Sequence, residues 1–418
     1  KLGSNLPMIS SNLVEQIFKS ASISRWNDYP KMVSLVELDK QAHKFIIAYF
    51  IASFERDVDI NYVIEAGIFE FLARIVVTDI RPDVFHQIQK TKKDKINEWV
   101  LSVLESDLLP IQNGAFFERF KKYLNSKDHK KEAVILKAAS YLSTRWEFNI
   151  VYQTSQFLND IEELKAKVEE ELEDYYELIG VRKIVMNKKL ARIVDLSGRL
   201  RFQKRWAQTP RIPETSVLGH MLVVAILSYF FSLEVGACRS RTAYNFFCAL
   251  FHDLPESLTR DIISPVKYGV KGLSDIISEY EMRLIDDKIL PFVPEHMRDD
   301  FSYILGIRKE GGKFIKDEFE NRTFELGKEP KFAEGSLKMF NEDKFRAIDG
   351  KALKYCDKLA AFFEAGISIS YGVKSKELLS GYNSMLEFFK AKPKIEGVDF
   401  QSVCEDFKEH FGLNRIDL

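Results

Sequence analysis

The sequence predicts an all-α protein: a packed bundle of orthogonal and near-parallel helices, arranged as two tandem copies of one helical domain. Three observations carry this. Nearly every long segment repeats its apolar residues at helical spacing, and alternating strand-like runs are scarce. Pro and Gly cluster between those segments, at 210–213, 291–294, 311–312 and 327–330. Short patterns in the first half recur, in order, in the second.

In chain order, helices are expected over residues 45–54, 63–77, 96–109 and 133–151. A helix over 156–176 contains the charged stretch 161–174, where Glu162, Glu163, Glu169, Glu170, Glu171, Glu173 and Asp174 oppose Lys165 and Lys167. It reads as a solvated connector, with an acidic partner-binding face as the sharper alternative. The boundary between copies is therefore placed at 1–175 and 176–418. Further helices are expected over 221–233, 241–252, 274–290, 352–370 and 384–390. The stretch 308–349, with Gly311-Gly312, Gly327 and many charges, reads as a surface loop, a flap over a site being the alternative.

Composition excludes more than it assigns. The 418 residues are 46% hydrophobic and 29% charged, which is ordinary for a globular chain long enough for two domains. A net charge of −1 gives no electrostatic case for nucleic-acid or membrane partners. Cys238, Cys248, Cys356 and Cys404 show no paired spacing and are expected to be free thiols of a reducing compartment. Residues 1–7 carry no signal-peptide core, and apolar runs such as 221–231 are too short to span a bilayer. A cytoplasmic location is the expectation.

His252-Asp253 closes the apolar run 243–250. Adjacent helical residues point about 100° apart, so both can grip one ion only where the backbone turns around a site. His220 lies upstream in an apolar run and Asp357 downstream in another. Singly, His220 reads as a core histidine, His252-Asp253 as a helix end and Asp357 as a surface ion-pair residue. Together they offer two imidazoles and two carboxylates, a set suited to one divalent transition metal: Mn, Co, Fe, Ni or Zn.

The order His220…His252-Asp253…Asp357 resembles the HD-domain metal-dependent phosphohydrolases, and among them the bacterial 5′-deoxynucleotidases. Arg205-Trp206 stands 15 residues before His220, Thr259-Arg260-Asp261 leads into Pro265-Val266-Lys267-Tyr268, and Lys351 to Asp357 fits the helix that supplies the last ligand. The resemblance covers residues 195–375. It implies removal of the 5′-phosphate from (deoxy)nucleoside monophosphates, a small-molecule partner, with a metal-bound water as nucleophile. Glu256 and Asp261 become the acid/base candidates, Arg205 a bidentate phosphate ligand, Trp206 a wall that discriminates the sugar, and Lys267 a secondary phosphate contact. Asp261 could instead cap a turn, and Arg205-Trp206 could be retained for packing. Gly219 departs from the Glu usual before the first ligand, and Leu218 and Met221 replace more polar residues.

The internal repeat pairs Ser24-Arg25-Trp26 with Lys204-Arg205-Trp206, and Glu37…His43 with Glu214…His220. It also pairs residues 69–80 with 251–262, and Lys137 to Ser143 with Lys351 to Asp357. The chain is thus expected to be a tandem pair of HD-type domains forming an intrachain pseudo-dimer, its N-terminal copy degenerate and without a catalytic metal. Homo-oligomerisation is left open. The rival readings are an HD hydrolase of another phosphorylated metabolite or phosphodiester, and a non-catalytic nucleotide-binding regulator.

Overall fold

A computed structural model describes residues 7–80, 82–126, 130–260, 262 and 269–415. Its first half contains α1 (Ser11–Lys19), α2 (Glu37–Ala52), α3 (Ile60–Val77), α4 (Pro82–Leu108), α5 (Ala115–Asn125), α6 (Lys131–Ser155) and α7 (Ile161–Glu173). The second half contains α8 (Ile179–Val185), α9 (Lys189–Arg199), α10 (Val217–Glu234), α11 (Arg239–Phe251) and α12 (Glu256–Thr259). It continues with α13 (Leu273–Lys288), α14 (Arg298–Ile304), α15 (Gly350–Ser370), α16 (Lys376–Ala391) and α17 (Phe400–His410). Among the described residues, strands occur only as three short antiparallel pairs: β1 (Ile307–Glu310) with β2 (Lys313–Lys316), β3 (Arg322–Thr323) with β4 (Lys331–Phe332), and β5 (Lys394–Ile395) with β6 (Val398–Asp399). The fold is all-α.

Several elements differ from expectation, some for local reasons. The helix expected over 156–176 is interrupted, because α6 runs on to Ser155 and α7 begins only at Ile161. The end of α6 is tied to an earlier loop, where the Thr154 and Ser155 hydroxyls donate to the Pro30 carbonyl at 2.8 and 3.3 Å. Helices α1 and α17 lack long apolar runs and are defined by their caps: Ser10 Oγ accepts from Leu13 N, and Asp399 from Ser402 N. Asp406 of α17 then receives both the Ser11 amide and hydroxyl, joining the chain's two ends.

One buried apolar cluster runs from Met8 to Leu413, and the boundary drawn at 175/176 falls in the turn between α7 and α8 without a break in it. At its centre α2 packs on α10, and α2 is buried from Glu37 to Ala52. Helix α10 exceeds the apolar run read from sequence and is long and apolar enough to cross a membrane; 89% of it is buried inside the protein. The α2–α10 crossing explains Gly219. A Cβ there would stand 2.9 Å from Asp39 Oδ1 and from the Leu38 side chain. Asp39 uses that space to accept from Ser216 Oγ at 2.6 Å, while Ser216 Oγ accepts from Gly219 N and caps α10.

The stretch 308–349 is not a plain surface loop. Arg322 within it is fully buried and donates to the carbonyls of Tyr303, Ile304, Glu318 and Glu320. Arg241 of α11 pairs bidentately with Asp349 at 2.6 and 2.7 Å. These buried, hydrogen-bonded guanidinium groups fix the segment to the core.

Candidate metal centre

Each expected ligand sits at a helix position that aims it inward. His220 lies in the first turns of α10, His252 caps α11, Asp253 follows as the chain turns towards α12, and Asp357 lies in the second turn of α15. That turn after Phe251 lets consecutive residues face one point. His220, His252 and Asp253 each offer a ligand atom within 4.8 Å of the others. Asp357 Oδ1 stands 2.9 Å from His220 Nε2 and 3.8 Å from His252 Nε2, and Asp253 Oδ2 is 3.2 Å from His252 Nε2.

The hydrogen bonds on the far sides of the rings suit metal ligation. His220 Nδ1 donates to Glu364 Oε1 at 2.9 Å, and His252 Nδ1 to the Ala249 carbonyl at 2.6 Å. Both Nε2 atoms are thereby turned to the centre. Among the described residues His252 Nε2 has no hydrogen-bond partner, although fully buried. A buried, orphaned nitrogen beside two carboxylates is a donor set that fits a divalent cation. Burial works against charge here, yet Asp253 and Asp357 hold the His252 imidazole well above its usual range, and the two imidazoles hold Asp357 well below its own.

Glu364 is the residue that sequence reading missed. It is buried on α15, seven positions after Asp357 and so two turns along the same face. Besides His220, it accepts from Trp206 Nε1 at 2.9 Å and Thr215 Oγ1 at 3.1 Å. Arg211 lies at 3.2 Å and Arg205 Nε at 3.8 Å. Burial would raise its carboxyl, but His220 and Arg211 hold it well below the usual range. The i, i+7 spacing from Asp357 was the available signal. Arg205 is thus brought to the centre, its charge adding to those that lower Asp253. Trp206 commits its N–H to Glu364 and its ring edge to Gly381, where a Cβ would stand 2.6 Å away.

A pocket of about 110 Å³ opens beside His252 and Asp253, with Glu256 in its wall. Opposite stand Glu281, Lys316 and Glu318, two of them from the anchored insertion. Lys316 pairs with Glu318 at 2.8 Å and Glu281 at 3.5 Å. Burial alone would lower its ammonium, but Glu318, Glu281 and Asp253 raise it. No sequence pattern distinguished Lys316 from the other charges of that segment. Asp261 and Lys267 lie outside the described residues.

The first half shows corresponding geometry at shifted positions. Trp26 and Trp206 share a left-handed φ of 57° and 58°, and isolated bridges join Ser24 to Val36 and Lys204 to Ser216. Trp26 Nε1 donates to buried Glu147 at 3.1 Å, as Trp206 does to Glu364. These bridges match Glu37 to Val217 at the helix starts, and hence Lys40, rather than His43, to His220. Glu147 against Glu364 likewise matches Ser140, rather than Ser143, to Asp357. Lys40 Nζ donates to Ser140 Oγ at 2.5 Å. His43 is a satisfied core histidine: Nε2 donates to Val194 O at 2.9 Å and Nδ1 accepts from Arg201 at 3.0 Å.

Residues 197–386 match the family model described as HD domain. A 5′-deoxynucleotidase of Enterobacter sp. (strain 638) is 30% identical over 118 residues, 26% of this chain and 55% of that protein. The Escherichia coli 5′-deoxynucleotidase YfbR matches with the same identity and coverage, and a Vibrio atlanticus 5′-deoxynucleotidase is 28% identical over 113 residues, 26% of this chain and 57% of that one. The chain thus spans a little over half the length of these relatives. An HD-domain phosphohydrolase from Listeria innocua of solved structure is 19% identical, with a TM-score of 0.38, covering 53% of this chain and 88% of that one.

Proposed function

We propose, from the match of residues 197–386 to the HD-domain family model, that this chain is a metal-dependent phosphohydrolase that removes the 5′-phosphate from nucleoside monophosphates, deoxy forms foremost. The observation that carries the reading is the convergence of His220, His252, Asp253 and Asp357, with both imidazoles fixed by outward hydrogen bonds. A divalent ion held there supplies a nucleophile at neutral pH and withdraws charge from a phosphoryl oxygen. The chain's own groups do the rest. Arg205, with its planar donors beside Glu364, and Lys316, in the pocket wall, orient the phosphate. Glu256, on α12 in the pocket wall, carries the proton that must reach the leaving 5′-oxygen. Asp261 and Lys267 keep the roles that the resemblance implies. The deoxy preference rests on the 5′-deoxynucleotidase relatives.

The test is phosphate release from paired ribo- and deoxyribonucleoside 5′-monophosphates with manganese or cobalt, wild type beside Asp253→Ala. Release that needs Asp253 and favours the deoxy partner supports the reading; no release from any nucleotide by metal-loaded protein sinks it. One observation favours a second reading, hydrolysis of a smaller phosphorylated metabolite. The 110 Å³ pocket holds a phosphoryl group but falls short of the roughly 300 Å³ at which small-molecule sites begin. The same assay with sugar phosphates separates the two.

For the first half we infer a degenerate HD-like copy, the N-terminal member of an intrachain pseudo-dimer. Lys40, Glu70-Phe71 and Ser140 occupy the positions that correspond to His220, His252-Asp253 and Asp357. An ammonium in this set repels a cation, so one ion per chain is expected.

A further inference from the structure

A cavity larger than the one beside the metal centre lies elsewhere in the molecule. It measures about 720 Å³ and lies between α6 of the first half and α9 and the end of α13 of the second. Four cations line it, Arg145, Arg192, Arg199 and Lys288, against the single carboxylate of Asp195. Arg145 is committed to Glu169 at 2.8 Å. Among the described residues neither Arg199 nor Lys288 has an ion-pair partner. Arg199 and Lys288, unpaired on a concave surface beside one carboxylate, leave a local excess of positive charge whose field the low-dielectric wall focuses on an anion.

The remaining wall narrows the ligand. Trp146 and Phe292 give it an aromatic side, Arg192 lying 5.1 Å over the Phe292 ring. Side-chain amides such as Asn149 offer both donors and acceptors. A volume of about 720 Å³ falls within the range of small-molecule pockets. We infer that this cavity is a second ligand site, for a nucleoside polyphosphate, and that its occupancy is felt at α12.

The coupling follows from what the two cavities share. Helix α12 has only four residues; Leu258 lines the large cavity, while Glu256 and Thr259 line the pocket at the metal centre. A second route runs through the wall itself. Trp146 stacks on Phe202 at 5.9 Å, and the next residue, Gln203, donates to the Glu256 carbonyl at 2.9 Å. A ligand that displaces Leu258 or Trp146 therefore shifts the backbone that carries Glu256. Binding at this site is independent of which ester the metal centre hydrolyses.

The experiment is equilibrium binding of ATP to the full chain in EDTA, for the wild type and for Arg199→Glu with Lys288→Glu. Both side chains are exposed, so the double variant should keep the wild-type circular dichroism and Tm. Saturable binding near one per chain is expected, weakened about tenfold or more in the variant. Inorganic tripolyphosphate should bind more weakly than ATP by a similar factor, and ATP should slow amide exchange over residues 256–260 in the wild type alone. Absence of saturable binding, or binding that the double variant leaves intact, overturns the site. Tripolyphosphate binding as tightly as ATP overturns the nucleoside assignment, and unchanged exchange at 256–260 overturns the coupling.

Discussion

Replacing Glu364 by Gln keeps the shape of that side chain and removes its charge. In the wild type its two oxygens serve His220 and Thr215 on one side and Trp206 and Arg211 on the other, with Arg205 Nε at 3.8 Å. An amide retains one acceptor oxygen and turns an NH2 group towards N–H or O–H donors, so half of these bonds are lost. Breaking a buried ion pair from one side costs about 3–5 kcal/mol, since the Arg211 guanidinium stays buried without its counter-charge. The imidazole of His220 loses the acceptor that fixes its tautomer, and losing such an outer partner lowers metal affinity by about 10–100-fold. Competition for Mn or Zn against a calibrated chelator reads the affinity, and urea unfolding of the metal-free protein reads the stability. Metal affinity within twofold of wild type, in a variant that is destabilised as expected, would refute the view that Glu364 orients His220.

Three further outcomes are expected. Elemental analysis should find about one ion per chain in the wild type, little in Asp357→Ala, and an undiminished amount in Lys40→Met, whose ammonium contacts Ser140 rather than the centre. Lys316→Ala should raise KM for a phosphate monoester about tenfold with a smaller change in kcat, as loss of one charge-assisted contact does; an unchanged KM removes Lys316 from the phosphate site. The third concerns pH. Burial first, and then the Arg201 charge, holds the His43 imidazole down at about 3, against about 6.5 in the unfolded chain. Between those values only the unfolded chain binds the proton, so stability is full above about 6.5 and falls as pH drops through the window. Burial moves Asp39 the other way, to about 6, so from about 4 to 6 it opposes that loss. The stability advantage of wild type over His43→Gln should therefore shrink by about 2 kcal/mol between pH 6.5 and 5, and an advantage independent of pH would refute the neutral core imidazole.

The ligand set was legible because its chemistry is concentrated in residue types: His252-Asp253 at the end of an apolar run admits few readings, and His220 and Asp357 lie on helices whose periodicity is plain. Glu364 and Lys316 were not, for different reasons. Glu364 has the spacing of a second inward residue on α15, but a lone Glu in a helix is ordinarily a surface residue. Lys316 reaches the pocket only because Arg322, far from the centre in sequence, anchors the insertion. In the tandem arrangement proposed above, residue type pairs His43 with His220, whereas the positions of the two β-bridges pair Lys40 with it, about one helical turn away. Residues three apart share a helix face, so such a slip preserves the apolar pattern and only side-chain contacts expose it.

The packing of α2 on α10 has a consequence for how the protein behaves when dilute. Were the same contact made between separate subunits, mass action would pull it apart at low concentration, and the acceptor that Asp39 gives the capping hydroxyl of Ser216, four residues before His220, would leave with the departing partner. Carried on one chain, the contact is intramolecular, and the two halves see each other at an effective concentration that no dilution can change. Activity per molecule should then be the same at nanomolar and micromolar protein. Cutting the backbone between α7 and α8, by contrast, would expose to water the helix faces that now form a single interior.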